Sequence, residues 1–442
     1  MKSNNLEINQ SIKIKNTIRY GHEKITVHSL GMILLFANLF LPNYFGIALG
    51  GLPSLSIKRI ILIFLWLFIY HDKNKRKQFL NVVLTFKFKW IFLFYMFVNF
   101  YTGIFRGSIN TIFQPFINYI GLFFTMVYLF KYEISFEEFL NLVRKITLIL
   151  CILGIIEYIV KFPLFSVLET IPGMFSTGAR DGTLRIMGPC NNPLGYGLYL
   201  NMLFPLIAYD YKNKCINILK NKTLVLLIIL NVFLINSRLA SSFLILELFL
   251  LIIFSPRKIR TTSFLVLIIC MVFMICGLVA FKDSSISQSI FKSVANIYDT
   301  IFGTNYSIML GGDDITDSTN YRKLLPEIFK LDWLSPLVGR GISYKFSCVI
   351  GDYWIQSIDN FYVNQYIILA YPGLIADILI IISFINMIRK KAFVQKSAFY
   401  KVFFILNVCY FISLWWLDQL GTLSYIYLFF AFAYVHKDNK LI

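Results

Sequence analysis

Long uncharged apolar runs, separated by short polar and basic stretches, set the pattern of this chain. Runs such as 224–235 and 264–281 need lipid as their solvent, with every backbone group paired inside a helix. The pattern predicts spans over about 28–48, 56–70, 86–104, 109–130, 144–161, 190–209, 223–237, 239–254, 261–281, 359–386, 398–416 and 418–436. The expected fold is therefore all-α: a polytopic helical membrane protein of about twelve transmembrane helices. No internal repeat or low-complexity linker divides it, so residues 1–442 read as a single integral membrane domain. Spans seven and eight are joined only through Asn236, Ser237, Arg238 and Leu239, which forces a tight helical hairpin.

Two polar segments break the rhythm of short connections. One covers 162–189 and is rich in Gly, Ser and Thr; the other, 282–358, is far longer than an ordinary loop. Within the long segment, Ile286, Ile290, Val294, Ile297 and Ile301 recur at helical spacing. Leu324, Leu325, Ile328, Phe329 and Trp333 do the same over 321–334. Both stretches predict amphipathic helices lying on the membrane or capping a cavity. A long, partly helical extracytoplasmic loop of this kind marks function rather than connection.

Composition agrees: 57% of residues are hydrophobic and 15% charged, against roughly 25% charged in a soluble domain. The net charge of +19 raises nucleic acid as a partner, and its placement removes it. Segments alternating to one side of the predicted spans (1–27, 71–79 with Lys87 and Lys89, 131–145, 210–222, 255–260, 388–401, 437–442) hold 28 of the 42 bases and 8 of the 23 acids. That side is cytoplasmic by the positive-inside rule, with both termini on it and no nucleic acid required. The polar N-terminus leads into a retained anchor, with no small-residue cleavage site. Localisation follows as a multi-pass protein of the cytoplasmic (inner) membrane.

The other side is expected to carry the chemistry. It holds seven of the thirteen arginines, and Arg is favoured where a forked donor grips phosphate or carboxylate. The four His show no paired-ligand spacing, so no zinc site is expected. Cys190 and Cys348 are expected as two free thiols. Lys58 and Arg59 should snorkel to the headgroups. Glu157, Glu247 and Asp377 fall inside spans, where a charge costs about 2.5–3.5 kcal/mol. Asp377 and Glu247 are candidates to line a substrate cavity or to relay protons in a transporter.

Ordered motifs between about 180 and 380 carry a resemblance. RIMGPCNNPLGYGLYLNMLFP (185–205), NSRLASS (236–242), SPLVGRGIS (335–343) and DNFYVNQYIILAYPGLIADILI (359–380) look like the O-antigen ligase and Wzy-type polysaccharide polymerase superfamily. The resemblance implies a GT-C-like membrane fold and metal-independent, cofactor-free glycosyl transfer from an undecaprenyl-diphosphate-linked sugar at the outer membrane face. Membrane lipids, a chain-length regulator and a flippase are the further partners it implies. Within the family the chain resembles a capsular or O-antigen repeat-unit polymerase. Where ligases carry a His it has Asp359, which weakens the ligase reading and leaves the identity of the base open. The alternatives are a ligase with the same chemistry and a lipid-linked oligosaccharide flippase.

Breaking the anomeric C–O bond leaves charge on a diphosphate, and Arg supplies charge-assisted, often bidentate bonds to it. Arg185 and Arg238 are the catalytic candidates for that task, with Asp359 as general base for the acceptor hydroxyl. Arg322, Asn192 and Asn360 are candidate substrate-binding residues. Each has a plainer alternative. Arg238 suits a cap on the preceding helix, Arg185 a solvated loop charge, and Arg322 a headgroup anchor. Asp359, Asn360 and Asn192 suit helix starts.

Overall fold

The computed structural model describes residues 26–48, 53–174, 179–180, 183–284 and 316–436, with scattered positions between 287 and 309. The chain is mostly helical. It runs α1 (Val27–Phe40), α2 (Ile57–His71), α3 (Lys73–Thr85), α4 (Lys89–Phe105), α5 (Ile109–Pro115), α6 (Leu122–Tyr132), α7 (Phe136–Val160) and α8 (Pro193–Ile207). It continues through α9 (Lys222–Leu234), α10 (Arg238–Phe254), α11 (Arg257–Ala280), α12 (Tyr306–Met309), α13 (Thr316–Leu324), α14 (Phe361–Arg389), α15 (Ala398–Ser413) and α16 (Leu423–Val435). Short antiparallel strand pairs sit in the connections, among them Gly46–Ile47 with Leu55–Ser56 and Cys348–Ile350 with Tyr353–Ile355.

Among the described residues, three helical stretches are long and apolar enough to cross a membrane: Ile109–Tyr132, Phe136–Val160 and Phe361–Val394. A fourth arises if α3 and α4, bent by 91°, count as one span. Twelve such spans are therefore not observed. Predicted runs come out shorter because their ends are spent on caps and turns. The run 28–48 gives α1, which stops before Pro42, and 190–209 starts its helix only at Pro193, behind the Asn192 cap. Membrane association stands on the long apolar helices and on the apolar side chains that many helices turn outward, such as Leu67, Phe97 and Ile159.

The core is aromatic. Phe86, Phe92, Phe123, Phe384, Tyr427 and Phe430 pack between α4, α6, α14 and α16, with Phe384 stacked on Phe430 at 4.0 Å. Polar contacts tie the connections together at two ends of the helices. At one, Lys75 Nζ lies 3.6 Å from Glu133 Oε1, Arg144 donates to Tyr209 O (3.0 Å) and His28 approaches Glu138 at 3.4 Å. At the other, Gly46 N donates to Thr170 Oγ1 (2.7 Å) and Asn110 Nδ2 to Ser343 Oγ (3.2 Å).

The long loop differs from expectation. The stretch 286–301 falls largely outside the described residues. The stretch 321–334 is no continuous helix: α13 ends at Leu324 and a 3-10 turn, Leu325–Lys330, follows. Pro326 is the cause, since it lacks an N–H and crowds the preceding turn. Its apolar side does not lie free. Leu325 and Ile328 pack with Leu334, Phe346 and Ile355 against Val363, Tyr366 and Ile367, forming a small second core on the first turns of α14.

That half of α14 is broken from the rest at Ala370 (φ 56°, ψ −165°). Pro372 has no N–H to give Ile368 O, and Tyr371 N turns to Pro336 O (3.2 Å). The orphaned carbonyls are satisfied from outside: Arg340 N donates to Ile367 O (2.8 Å) and Gly341 N to Ile368 O (2.9 Å). The Gly-Arg-Gly of the 335–343 motif thus mends a helix break. Arg340 is turned away over Trp333 (5.1 Å) and Tyr344 (5.7 Å).

Candidate functional site

The turn between α15 and α16, Trp415 to Gly421, is where the motifs meet. Its last two residues have positive φ, Leu420 at 49° and Gly421 at 79°. Phe361 N, the first of α14, donates to Leu414 O (3.0 Å) and Leu417 O (3.2 Å). Asn364 Nδ2 donates to Asp418 Oδ2 (3.1 Å), and Gln419 Nε2 to Tyr119 Oη (3.3 Å). Trp416 packs on Phe243 of α10 at 6.4 Å, and Leu420 O lies against Gly195 in the first turn of α8. The starts of α8, α10 and α14 are gathered on one turn.

Arg322 and Asp359 come together here. Arg322 Nη2 donates to Asp359 Oδ2 at 2.7 Å, and Ser357 Oγ to Asp359 Oδ1 at 3.2 Å. Arg322 also lies over the Tyr321 ring at 5.5 Å. Burial, and then the Asp359 carboxylate beside it, push the Tyr321 phenol well up. The pair is partly exposed, 29% for Arg322 and 23% for Asp359, so a charged ligand has access to it.

Arg185 belongs to a second group. Its Nε donates to Ile235 O at 2.7 Å, taking the end of α9 that Arg238 was expected to cap. The hairpin then turns through Asn236 (φ 51°), and Ser237 Oγ accepts from Ala240 N (3.4 Å) to start α10. Arg238 is the first residue of α10 and is half-buried. Arg185 and the Arg238 hairpin are therefore one unit, linked to the Asp359 side through α10 and Trp416.

Asn192 and Asn360 both cap helices, the plainer alternative that their sequence positions offered. Asn192 Oδ1 accepts from Gly195 N (2.8 Å). Asn360, 3% exposed, accepts from Val363 N (3.1 Å) and donates to Trp415 O (2.8 Å), so both ends of its amide are spent on backbone. Glu157 has a similar role. Its carboxylate accepts from Leu164 N (3.1 Å), Met187 N (3.0 Å) and Gly188 N (3.1 Å), pinning the 162–189 connection to α7. Glu247 lines a cavity of about 10 Å³ with Asn201, Tyr410 and Ser413. That is room for roughly one water, and it is too small for a sugar. Asp377 is buried in α14. Cys190 and Cys348 are both free.

Asn118, Tyr119 and Asp418 at this end were not singled out from sequence, whereas Lys58 and Arg59 were expected to snorkel. Lys58 is instead buried, its Nζ donating to Asn38 O (3.4 Å). Arg59 Nε donates to Asn118 Oδ1 (2.8 Å), so it is held inside the protein rather than snorkelling. Asn118 and Tyr119 ride on a π turn, Phe116–Gly121, that follows Pro115. Such turns aim side chains that a regular helix would not. Asp418 has one oxygen on Asn364 and the other, Oδ1, buried without a partner. Burial pushes its carboxyl up to about 6, helped by the Asp359 charge and opposed by the bonds from Gln419 N and Asn364. The signal available for Asp418 was an acid closing an aromatic Trp-Trp-Leu-Asp turn between two apolar runs.

Compared with known proteins, the chain matches no family model and no curated protein.

Proposed function

We propose that the chain is a membrane glycosyltransferase that joins undecaprenyl-diphosphate-linked oligosaccharide repeats at the outer face of the cytoplasmic membrane. The shorter apolar helices also cross under this reading, completing the roughly twelve spans of a GT-C-like fold, with the sparsely basic end outside. The supporting observation is the partly exposed Arg322–Asp359 pair, set on the turn where the motif-bearing helices start.

An ion pair of this kind holds both groups needed for the transfer. A diphosphate entering the site competes with Asp359 for the Arg322 guanidinium. Arg322 then bears the charge that develops as the anomeric C–O bond to the diphosphate breaks. Asp359, released, accepts the proton of the attacking hydroxyl as the new glycosidic C–O bond forms. The electron pair of the broken bond leaves with the diphosphate. Arg185 and Arg238 frame the same end and hold the rest of the lipid-linked donor.

Loss of the gene separates the readings. A strain lacking the polymerase accumulates lipid-linked glycan of one repeat, exposed on the outer leaflet. Accumulation on the inner leaflet contradicts the transferase and supports a flippase. Accumulation of long lipid-linked chains supports a ligase.

A further inference from the structure

Helix α3 (Lys73–Thr85) has three faces, and each meets a different surrounding. On a turn of 3.6 residues, Lys75, Phe79, Val82 and Val83 share one side. That side is the packed one: Val82 is buried, Phe79 lies 6.0 Å from the Tyr128 ring and Lys75 meets Glu133 at 3.6 Å. Asn74, Gln78, Asn81 and Thr85 share a second side, polar and uncharged. The third side carries Lys73, Arg76, Lys77, Leu80 and Leu84, all exposed, with Leu80 at 42% and Leu84 at 65%.

A face that mixes cations with exposed leucines suits neither water alone nor a hydrocarbon interior. It suits the boundary between them, where leucines enter the acyl region and long basic side chains reach headgroup phosphates. Two observations place α3 at that boundary. Its axis is bent by 91° from the apolar helix α4, so it turns across the end of that helix rather than continuing it. Trp90, 71% exposed, opens α4 beside Lys89, the position of an interfacial aromatic anchor. From 73 to 90 the chain holds six Lys and Arg and no Asp or Glu.

We propose that the Lys73–Arg76–Lys77 face of α3, with Leu80 and Leu84, is a docking surface for anionic phospholipid. The ligand class follows from charge complementarity: phosphate-bearing headgroups with a net negative charge, supplied by the bilayer. The inference rests on the membrane placement of the chain and is independent of the transferase reading.

Trp90 serves as the reporter. The purified full-length protein is reconstituted with brominated phosphatidylglycerol or brominated phosphatidylcholine at equal mole fraction. Trp90 quenching is the difference between wild type and Trp90→Phe. Each cation near an anionic surface gives about a fivefold preference, so the glycerol lipid should quench more strongly, and added salt should weaken the effect. Lys73→Gln/Arg76→Gln/Lys77→Gln should cut the preference at least about tenfold, with the unfolding midpoint unchanged because all three side chains are exposed. Lys77→Gln alone should give a partial loss. Equal quenching by both lipids in wild type, or an undiminished preference in the folded triple variant, overturns the proposal.

Discussion

Arg322 and Asp359 lie 37 residues apart in sequence and 2.7 Å apart in space, closing the 316–358 segment onto the start of α14. Removing either partner leaves a partly buried charge behind. Arg322→Ala and Asp359→Asn should each lower the transfer rate by about 10²-fold or more. Each should lower stability by about 1–2 kcal/mol, with a coupling of similar size in the double-mutant cycle. Arg322→Lys keeps the charge but loses the planar fork and should recover only part of the rate. Additive stability losses would show the two residues to be uncoupled.

At the α9–α10 hairpin, the two arginines should separate by phenotype. Arg238→Ala should abolish chain extension while leaving protein level and insertion normal, and Arg238→Lys should not restore full activity. Arg185→Ala should instead show a lowered unfolding midpoint as well, because it removes the bond to Ile235 O. Near-normal polymer from Arg238→Ala would remove that residue from the site.

Gly339 tests the mended helix break. A Cβ there would stand 2.0 Å from Ile368 O, a backbone atom that cannot swing aside. Gly339→Ala should therefore destabilise by about 1–3 kcal/mol or more, seen as a lower unfolding midpoint. Unchanged stability would mean that the 335–343 segment is loosely held against α14.

These residues also show where the sequence was readable. Helical character was legible because the length of an apolar run is a local property. The Arg322–Asp359 pair was not, since neither residue marks the other across 37 positions. Pro326 stops the helix even though the apolar spacing continues through it. The caps at Asn192 and Asn360 were foreseen as alternatives, and backbone geometry decides in their favour. The Trp415–Gly421 turn carries no local signal of its role, which comes from the helix starts packed around it.

Asp418 should make stability depend on pH. Its carboxyl sits at about 6 in the folded chain, against roughly 3.9 when unfolded. Between those values the folded state binds more proton, so stability falls as pH rises through the window and levels off above about 6. Asp418→Asn should remove this slope. The unfolding midpoint of wild type relative to Asp418→Asn, followed from pH 4 to 8, should decline across the window. A flat difference would mean that the carboxyl titrates normally.

As the proposed transferase, the chain itself extends a lipid-linked glycan. The donor already holds an activated glycosyl diphosphate, so transfer needs no nucleotide and no gradient, and arginines are placed to take the leaving charge. Purified protein in detergent micelles, given lipid-linked repeat units and excess chelator, should produce a ladder of longer lipid-linked glycans. Micelles have no two sides, so a flippase would leave the glycan at one repeat. The absence of a ladder from folded protein and matched substrate would contradict the account, and a ladder lost with chelator and restored by magnesium would contradict its metal-independent step.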